Sequence, residues 1–259
     1  GASIERQVQA LGKRPKIIVG TPGRIIDHLE RKSLDLSGFN YVVLDETDRM
    51  LDMGFSAPIA EIFSHVSEER QTLLFSATLP KNIQKISAQY LQNPVRIEMG
   101  QVNSVGDNIV QSTQFVSKDG KFEMLVDALR EHDQSAIVFM NSKFATEKMA
   151  KRLKSAGITA EAIHGDLRQS KRERVISNLR ENKFRVLVAT DVAARGIDVP
   201  HIHQVINFDL PRQTEDYIHR IGRTGRNGAQ GIALNLATRE DMEKLNEIER
   251  LINPKAAKL

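Results

Sequence analysis

Short apolar runs without period-two alternation recur along this chain, and amphipathic helical stretches separate them. Tyr41-Val42-Val43-Leu44 and Leu73-Leu74-Phe75 are two such runs. A strand that is apolar on both faces suits a parallel sheet with helices packed on each side. The alternation therefore predicts an α/β fold with parallel sheets. Strands are expected at 16–20, 41–45 and 72–76 in a first part. A second part should hold six, at 110–116, 136–140, 159–163, 186–190, 204–208 and 232–236. Residues 92–106 carry Pro94, Gly100, Asn103 and Gly106 with no clear period, and read as a linker.

Helix signals fall between the strands. Ser142 opens a helix with Ala145, Met149 and Leu153 on one face, closed by Gly157. Ser170-Lys171-Arg172-Glu173 has the capping-box pattern ahead of Val175, Ile176 and Leu179. A last helix carries Met242, Leu245, Ile248, Leu251 and Ile252.

At 259 residues the chain suits one large or two ordinary domains. It has no cysteine, which excludes disulfides and thiolate metal sites and is compatible with the cytoplasm. The apolar runs are too short to span a membrane, and Gly1-Ala2-Ser3 leads straight into a helical pattern rather than a signal peptide. The net charge of +4 is uneven: residues 1–100 balance 12 basic against 12 acidic side chains, leaving 25 against 21 for residues 101–259. So mild an excess permits nucleic-acid binding without demanding it.

Several clusters can carry chemistry. Asp45, Glu46 and Asp48 follow the run Tyr41–Leu44. A strand-end Asp can hold Mg²⁺ through its water shell, and a neighbouring Glu can activate a water. Acids in the first turn of a helix would look the same. Ser76-Ala77-Thr78 ends the next strand, where hydroxyls can bond the acid cluster or cap a helix before Pro80. Thr21-Pro22-Gly23-Arg24 starts a helix with Pro at its first position, and a helix N-terminus beside an Arg is also a phosphate site.

His219-Arg220-Ile221-Gly222-Arg223-Thr224-Gly225-Arg226 is the strongest signal. Three arginines at spacing three, with two glycines and no partner acids, suit bidentate contact with oxyanions. Ala189–Asp198 leaves another buried strand, and Asp198 could take a ribose hydroxyl. The seven histidines show no metal spacing, and tryptophan is absent. Any nucleic-acid contact should then run mainly to the backbone.

In chain order TPGR, DETD, SAT, IVFMNS, HGDLRQSKRE, ATDVAARGID and HRIGRTGR resemble the motifs of the DEAD-box family of ATP-dependent RNA helicases. The match is colinear over nearly the whole chain. DETDRMLDMGF looks most like the bacterial RhlE-like subgroup. Thr47 stands where the family has Ala, a change expected to be tolerated, and Ser142 ends a motif that often ends in Thr.

The resemblance implies two RecA-like parallel-sheet domains in tandem, the first incomplete: 1–98, a linker at 99–107, and 108–259. It implies ATP and Mg²⁺ as cofactors and RNA as partner. Asp45 would hold Mg²⁺ through water and Glu46 would activate the attacking water. Arg223 and Arg226 would be arginine fingers, and Asp198 with Gly196 would hold the nucleotide. Asp48, Ser76, Thr78, His219 and Arg220 would couple ATP state to RNA grip. Thr21, Pro22, Gly23, Arg24, Gly165, Gln169, Arg172 and Thr190 would contact RNA.

No phosphate-binding loop occurs in the 259 residues. The resemblance implies that the family's Gln motif, GKT loop and PTREL-type motif lie upstream of Gly1. On that expectation the chain is the C-terminal part of a longer core and is inactive by itself. A non-catalytic RNA-binding module and a DNA-directed helicase of the same superfamily remain as alternatives.

Overall fold

The computed structural model describes residues 3–77, 81–98, 108–194, 197, 199 and 201–253. The chain divides into two compact units, Gly1–Val102 and Asn103–Leu259.

The first unit holds α1 (Ile4–Leu11), α2 (Pro22–Glu30), β1 (Tyr41–Leu44), α3 (Thr47–Asp52), α4 (Ser56–Ser64), β2 (Gln71–Leu74) and α5 (Lys81–Tyr90). β1 and β2 pair in parallel, with Tyr41 opposite Gln71 and Leu44 opposite Leu74. Leu44, Ile59, Phe63, Ile86 and Tyr90 form the core of this unit. The Phe63 and Tyr90 rings stack with centroids 4.1 Å apart.

Two expectations fail here. Residues 16–20 form no strand: Ile17 is 80% and Val19 93% exposed. A strand exists only as a partner in a ladder, and among the described residues β1 and β2 pair only with each other. β1 is also not buried on both faces. Val42 and Leu44 turn inward, while Tyr41 and Val43 are exposed. The apolar run predicts cover on both faces, and within this unit one face lacks it.

The second unit matches the sequence closely. It holds β3 (Ile109–Phe115), α6 (Lys121–Glu131), β4 (Ala136–Phe139), α7 (Lys143–Ser155), β5 (Ala160–Ile163), α8 (Gln169–Arg180) and β6 (Val186–Ala189). Then follow α9 (Asp191–Ala194), β7 (Gln204–Asn207), α10 (Asp216–Ile221), β8 (Gly231–Ala237) and α11 (Met242–Ile252). All six strands are parallel, in the order β3-β8-β7-β4-β6-β5.

The pleat explains why the central strands β4 and β6 are apolar throughout. Ile137, Phe139, Leu187 and Ala189 face one layer with Val175 and Leu179 of α8, Tyr217 and Ile221 of α10 and Ile248 of α11. Ala136, Val138, Val186 and Val188 face the other, with Leu125 and Leu129 of α6 and Met149 and Leu153 of α7. Leu125, Leu129 and Leu153 are fully buried. Each contributes about 1.5–3 kcal/mol of apolar burial.

Ser142 is the N-cap of α7 and accepts a hydrogen bond from the Ala145 N–H, as its sequence pattern predicts. The box at Ser170 does not form. α8 starts at Gln169 with Arg168 as its N-cap, two residues ahead of the expected cap, which puts Ser170 inside the helix, and Gln169 donates instead to the Glu173 carboxylate at 2.9 Å. A capping box does form at Thr238–Asp241, where one Asp241 oxygen accepts from both the Thr238 N–H and its hydroxyl.

Candidate functional site

In the first unit, β1 delivers the acid cluster to its carboxyl end. Asp45 and Glu46 are exposed, whereas Thr47, Asp48 and Arg49 are buried. Glu46 adopts left-handed backbone, φ 49° and ψ 46°, and caps α3. An L-residue with a side chain of this size rarely takes that conformation, which costs on the order of 1–3 kcal/mol. The Asp45 carboxylate accepts the Glu46 N–H at 2.9 Å, and Asp48 accepts the Arg49 N–H at 3.0 Å.

Thr47 ties this turn to the neighbouring strand end. Its N–H donates to the Phe75 carbonyl at 3.1 Å. Its hydroxyl donates toward the carbonyls of Leu44 (3.3 Å) and Phe75 (3.1 Å). The fully buried hydroxyl is thus satisfied where it stands. Ser76 follows Phe75 at the same end of the two-stranded sheet.

Thr21 and Pro22 start α2 as expected, with Pro22 at its first position. The Thr21 hydroxyl makes no capping bond and the residue is exposed. Around Gly23 there is open space. Arg24 bonds Gln7 at 3.3 Å and lies 3.7 Å from the Asp27 carboxylate.

In the second unit the carboxyl ends of adjacent strands, the usual ligand crevice of an open parallel sheet, bring the predicted Gly165 and Thr190 together with residues the sequence did not single out. Gly165 follows β5, Thr190 and Asp191 follow β6, Asn141 follows β4 and Asp209 follows β7. Gly165 is exposed, and a Cβ added there would meet only the Lys143 Cε, at 4.0 Å. Gln169 and Arg172 occupy the first turn of α8 beside it.

Charges flank Gly165 on both sides. The His164 imidazole, 3.0 Å from Glu147, holds that carboxyl below its usual range through their hydrogen bond. Asp166 is lowered by its hydrogen bond with the Lys143 ammonium, at 2.6 Å.

The three arginines of HRIGRTGR divide into two kinds. Arg220 is only 1% exposed, and all five of its donors are used. Nε and Nη2 reach the two Asp191 oxygens at 2.5 and 2.8 Å. Nη1 reaches Asn207 Oδ1 at 3.0 Å and the Asp209 carbonyl at 2.6 Å, and Nη2 also reaches Asn141 Oδ1 at 3.1 Å. The expectation of three arginines without an acidic partner is therefore wrong for Arg220, whose partner lies 29 residues upstream. Arg223 donates to the carbonyls of His219 (3.1 Å) and Ile197 (3.0 Å), and Arg226 to that of Gly222 (3.0 Å).

Thr78, Gly196 and Asp198 lie outside the described residues, as does most of the expected linker. Sequence reading missed Asp191, Asn141 and Asn207 as the seat of Arg220. One signal was available: Asn235 interrupts the otherwise apolar β8, and it bonds Asn207, the last residue of β7, at 2.8 Å.

Parallel sheets with charged and glycine-bearing loops at their carboxyl ends define an α/β protein of the RecA-like class. Residues 1–86 match the family described as DEAD/DEAH box helicase, and residues 120–228 match the helicase conserved C-terminal domain. The DEAD-box ATP-dependent RNA helicase CshA of Geobacillus kaustophilus is 45% identical over 260 residues, covering 100% of this chain and 56% of that protein. A DEAD box protein of the hyperthermophile Methanococcus jannaschii is 42% identical, covering 98% of this chain and 68% of that one, with a TM-score of 0.56. S. cerevisiae Dbp5 bound to RNA and ADP BeF3 is 33% identical over 91% of this chain and 63% of its own, with a TM-score of 0.82. The chain belongs to the DEAD-box helicase family. It spans little more than half the length of CshA. These relatives support the family but not the RhlE-like subgroup expected from DETDRMLDMGF.

Proposed function

We propose that the chain belongs to an ATP-dependent RNA helicase that remodels short RNA duplexes by closing two RecA-like domains on ATP and RNA. The observation that carries this reading is Glu46: an exposed carboxylate held in left-handed backbone at a strand end, beside the exposed Asp45. Such strain is maintained where a side chain must point to a set place. The likeness to CshA, a DEAD-box ATP-dependent RNA helicase, and to Dbp5 bound to RNA and ADP BeF3 supports the same reading.

On this reading residues 1–98 belong to the first domain and 108–259 form the second. Glu46 orients and deprotonates the water that attacks the γ-phosphoryl group. Arg223 and Arg226 stabilise the charge that develops on that group, with Asp198 and Gly196 holding the nucleotide. Asp48, Ser76, Thr78, His219 and Arg220 link the nucleotide state to the grip on RNA. Thr21, Pro22, Gly23, Arg24, Gly165, Gln169, Arg172 and Thr190 hold the RNA backbone.

Mg²⁺ fits Asp45 by the chemistry of the donor. The ion keeps most of its waters and takes few carboxylates, so one exposed carboxylate suffices to hold it through water. No cluster of three metal-binding side chains occurs among the described residues, and this mode needs none. Bound there, Mg²⁺ would neutralise charge on the substrate phosphates. On this reading the protein works in the cytoplasm; no helix among the described residues is long and apolar enough to cross a membrane.

The test is strand separation by the whole helicase on matched RNA and DNA duplexes. ATP-dependent separation of RNA, absent with a non-hydrolysable analogue, is expected. Equal action on DNA would favour a DNA-directed enzyme, and RNA binding with no separation a non-catalytic module.

A further inference from the structure

Asn108 sits just ahead of β3 and grips the arginine loop from behind. Its side-chain nitrogen donates to the Gly225 carbonyl at 2.6 Å and to the Ala229 carbonyl at 2.5 Å. These two carbonyls bracket the short 3-10 turn Arg226–Gly228. The Asn108 carbonyl accepts the Gly231 N–H at 2.9 Å, continuing the β3–β8 ladder. One residue therefore anchors the start of the turn, its end and the strand that follows.

The loop has little freedom to sit elsewhere. Gly225 takes φ 68°, and a Cβ there would lie 2.7 Å from Ile109 Cγ1. A Cβ on Gly231 would lie 2.6 Å from the Gly225 nitrogen. Thr224, 2% exposed, donates to the carbonyls of Ile202 and His203. The loop is pinned by Thr224 on one side and by Asn108 on the other. Only an amide offers two donors from one short side chain here; aspartate has the same shape and would set a carboxylate against two carbonyls.

We propose that Asn108 is a positioning residue for Arg226, setting the turn from which that side chain reaches the phosphoryl group. This rests on the reading of Arg226 given above. Transition-state stabilisation depends on placement, so a loosened loop should lower turnover more than binding.

The experiment compares RNA-stimulated ATP hydrolysis by the whole helicase and four variants: Asn108→Asp, Asn108→Ala, Arg226→Ala, and Asn108→Ala with Arg226→Ala. Both Asn108 variants should lose about tenfold or more in kcat. Their KM values for ATP and RNA should stay within about threefold. In the Arg226→Ala background, Asn108→Ala should cost less than about twofold further, because the group it positions is gone. A purely structural role would not produce that non-additivity. The proposal is overturned if the Asn108 variants turn over normally. It is equally overturned if the loss is the same in both backgrounds, or if both variants fail to fold. Normal turnover by Arg226→Ala would overturn the reading of the arginines and this inference with it, whereas loss in Arg226→Ala with normal Asn108 variants overturns this inference only.

Discussion

Arg220 and Asp191 form a bidentate ion pair inside the second unit, with contacts of 2.5 and 2.8 Å between the guanidinium and the two carboxylate oxygens. The pair joins the loop after β6 to α10, and Asn141 and Asn207 complete it. Phe139 lies beneath the guanidinium, 4.9 Å from its centre. From Asn207 the polar chain runs on through Asn235 and Tyr217 to Gln111 of β3. The loops after β4, β6 and β7 are thus set by one side chain.

Arg220→Ala would leave the Asp191 charge and the polar groups of Asn207 and Asn141 without their partner in a buried setting. We expect a loss of about 3–5 kcal/mol in stability. Arg220→Lys keeps the charge but cannot fill five acceptor positions, and should recover only part of the loss. Urea unfolding of each variant measures both; an Arg220→Ala protein within about 1 kcal/mol of the parent would remove Arg220 from the framework.

His203 gives a pH dependence. Burial, and then the neighbouring His132, hold its pKa below the ordinary 6.5. The two rings meet edge to face with centroids 5.8 Å apart. The unfolded chain therefore takes up this proton before the folded one does. The resulting stability is present above 6.5 and is lost as pH falls through the lowered folded value. Melting temperatures at neutral pH and at about pH 5.5 should differ more for the parent than for His203→Gln. An equal drop in both would assign the acid sensitivity to other groups.

Thr47 tests the tolerance expected of that departure. In Thr47→Ala the Phe75 carbonyl still accepts the residue 47 N–H, and what is lost is the hydroxyl contacts and one buried methyl group. The cost should be about 1 kcal/mol, with RNA-stimulated hydrolysis by the whole helicase kept within about threefold. A much larger loss of turnover would make the hydroxyl part of the mechanism.

The second unit was legible in the sequence because its central strands β4, β6 and β7 are buried along their whole length, so pattern and environment agree, while the edge strand β3 is exposed. All six expected strands form there, within a residue or two of their expected ends. Residues 16–20 misled for the opposite reason. Apolar content signals that a strand could be buried, but a strand also needs a partner, and periodicity does not report one. The motif residues were visible one by one, whereas the partner of Arg220 was not. Asp191 and Arg220 are 29 positions apart, and only the order of β6, β4 and β7 in the sheet brings them together. Asn108 gave no signal, since a lone Asn before a strand reads as an ordinary turn residue.

On the proposed reading Glu46 and the arginine pair perform RNA-dependent ATP hydrolysis, and phosphate release by the whole helicase measures that step. Release should be stimulated by RNA. Glu46→Gln should abolish it while leaving ATP-dependent RNA binding intact, because the variant keeps the shape and loses the base. Arg223→Ala and Arg226→Ala should each lower it by about 10³-fold or more. Glu46→Gln turning over within a few-fold of the parent would contradict the account.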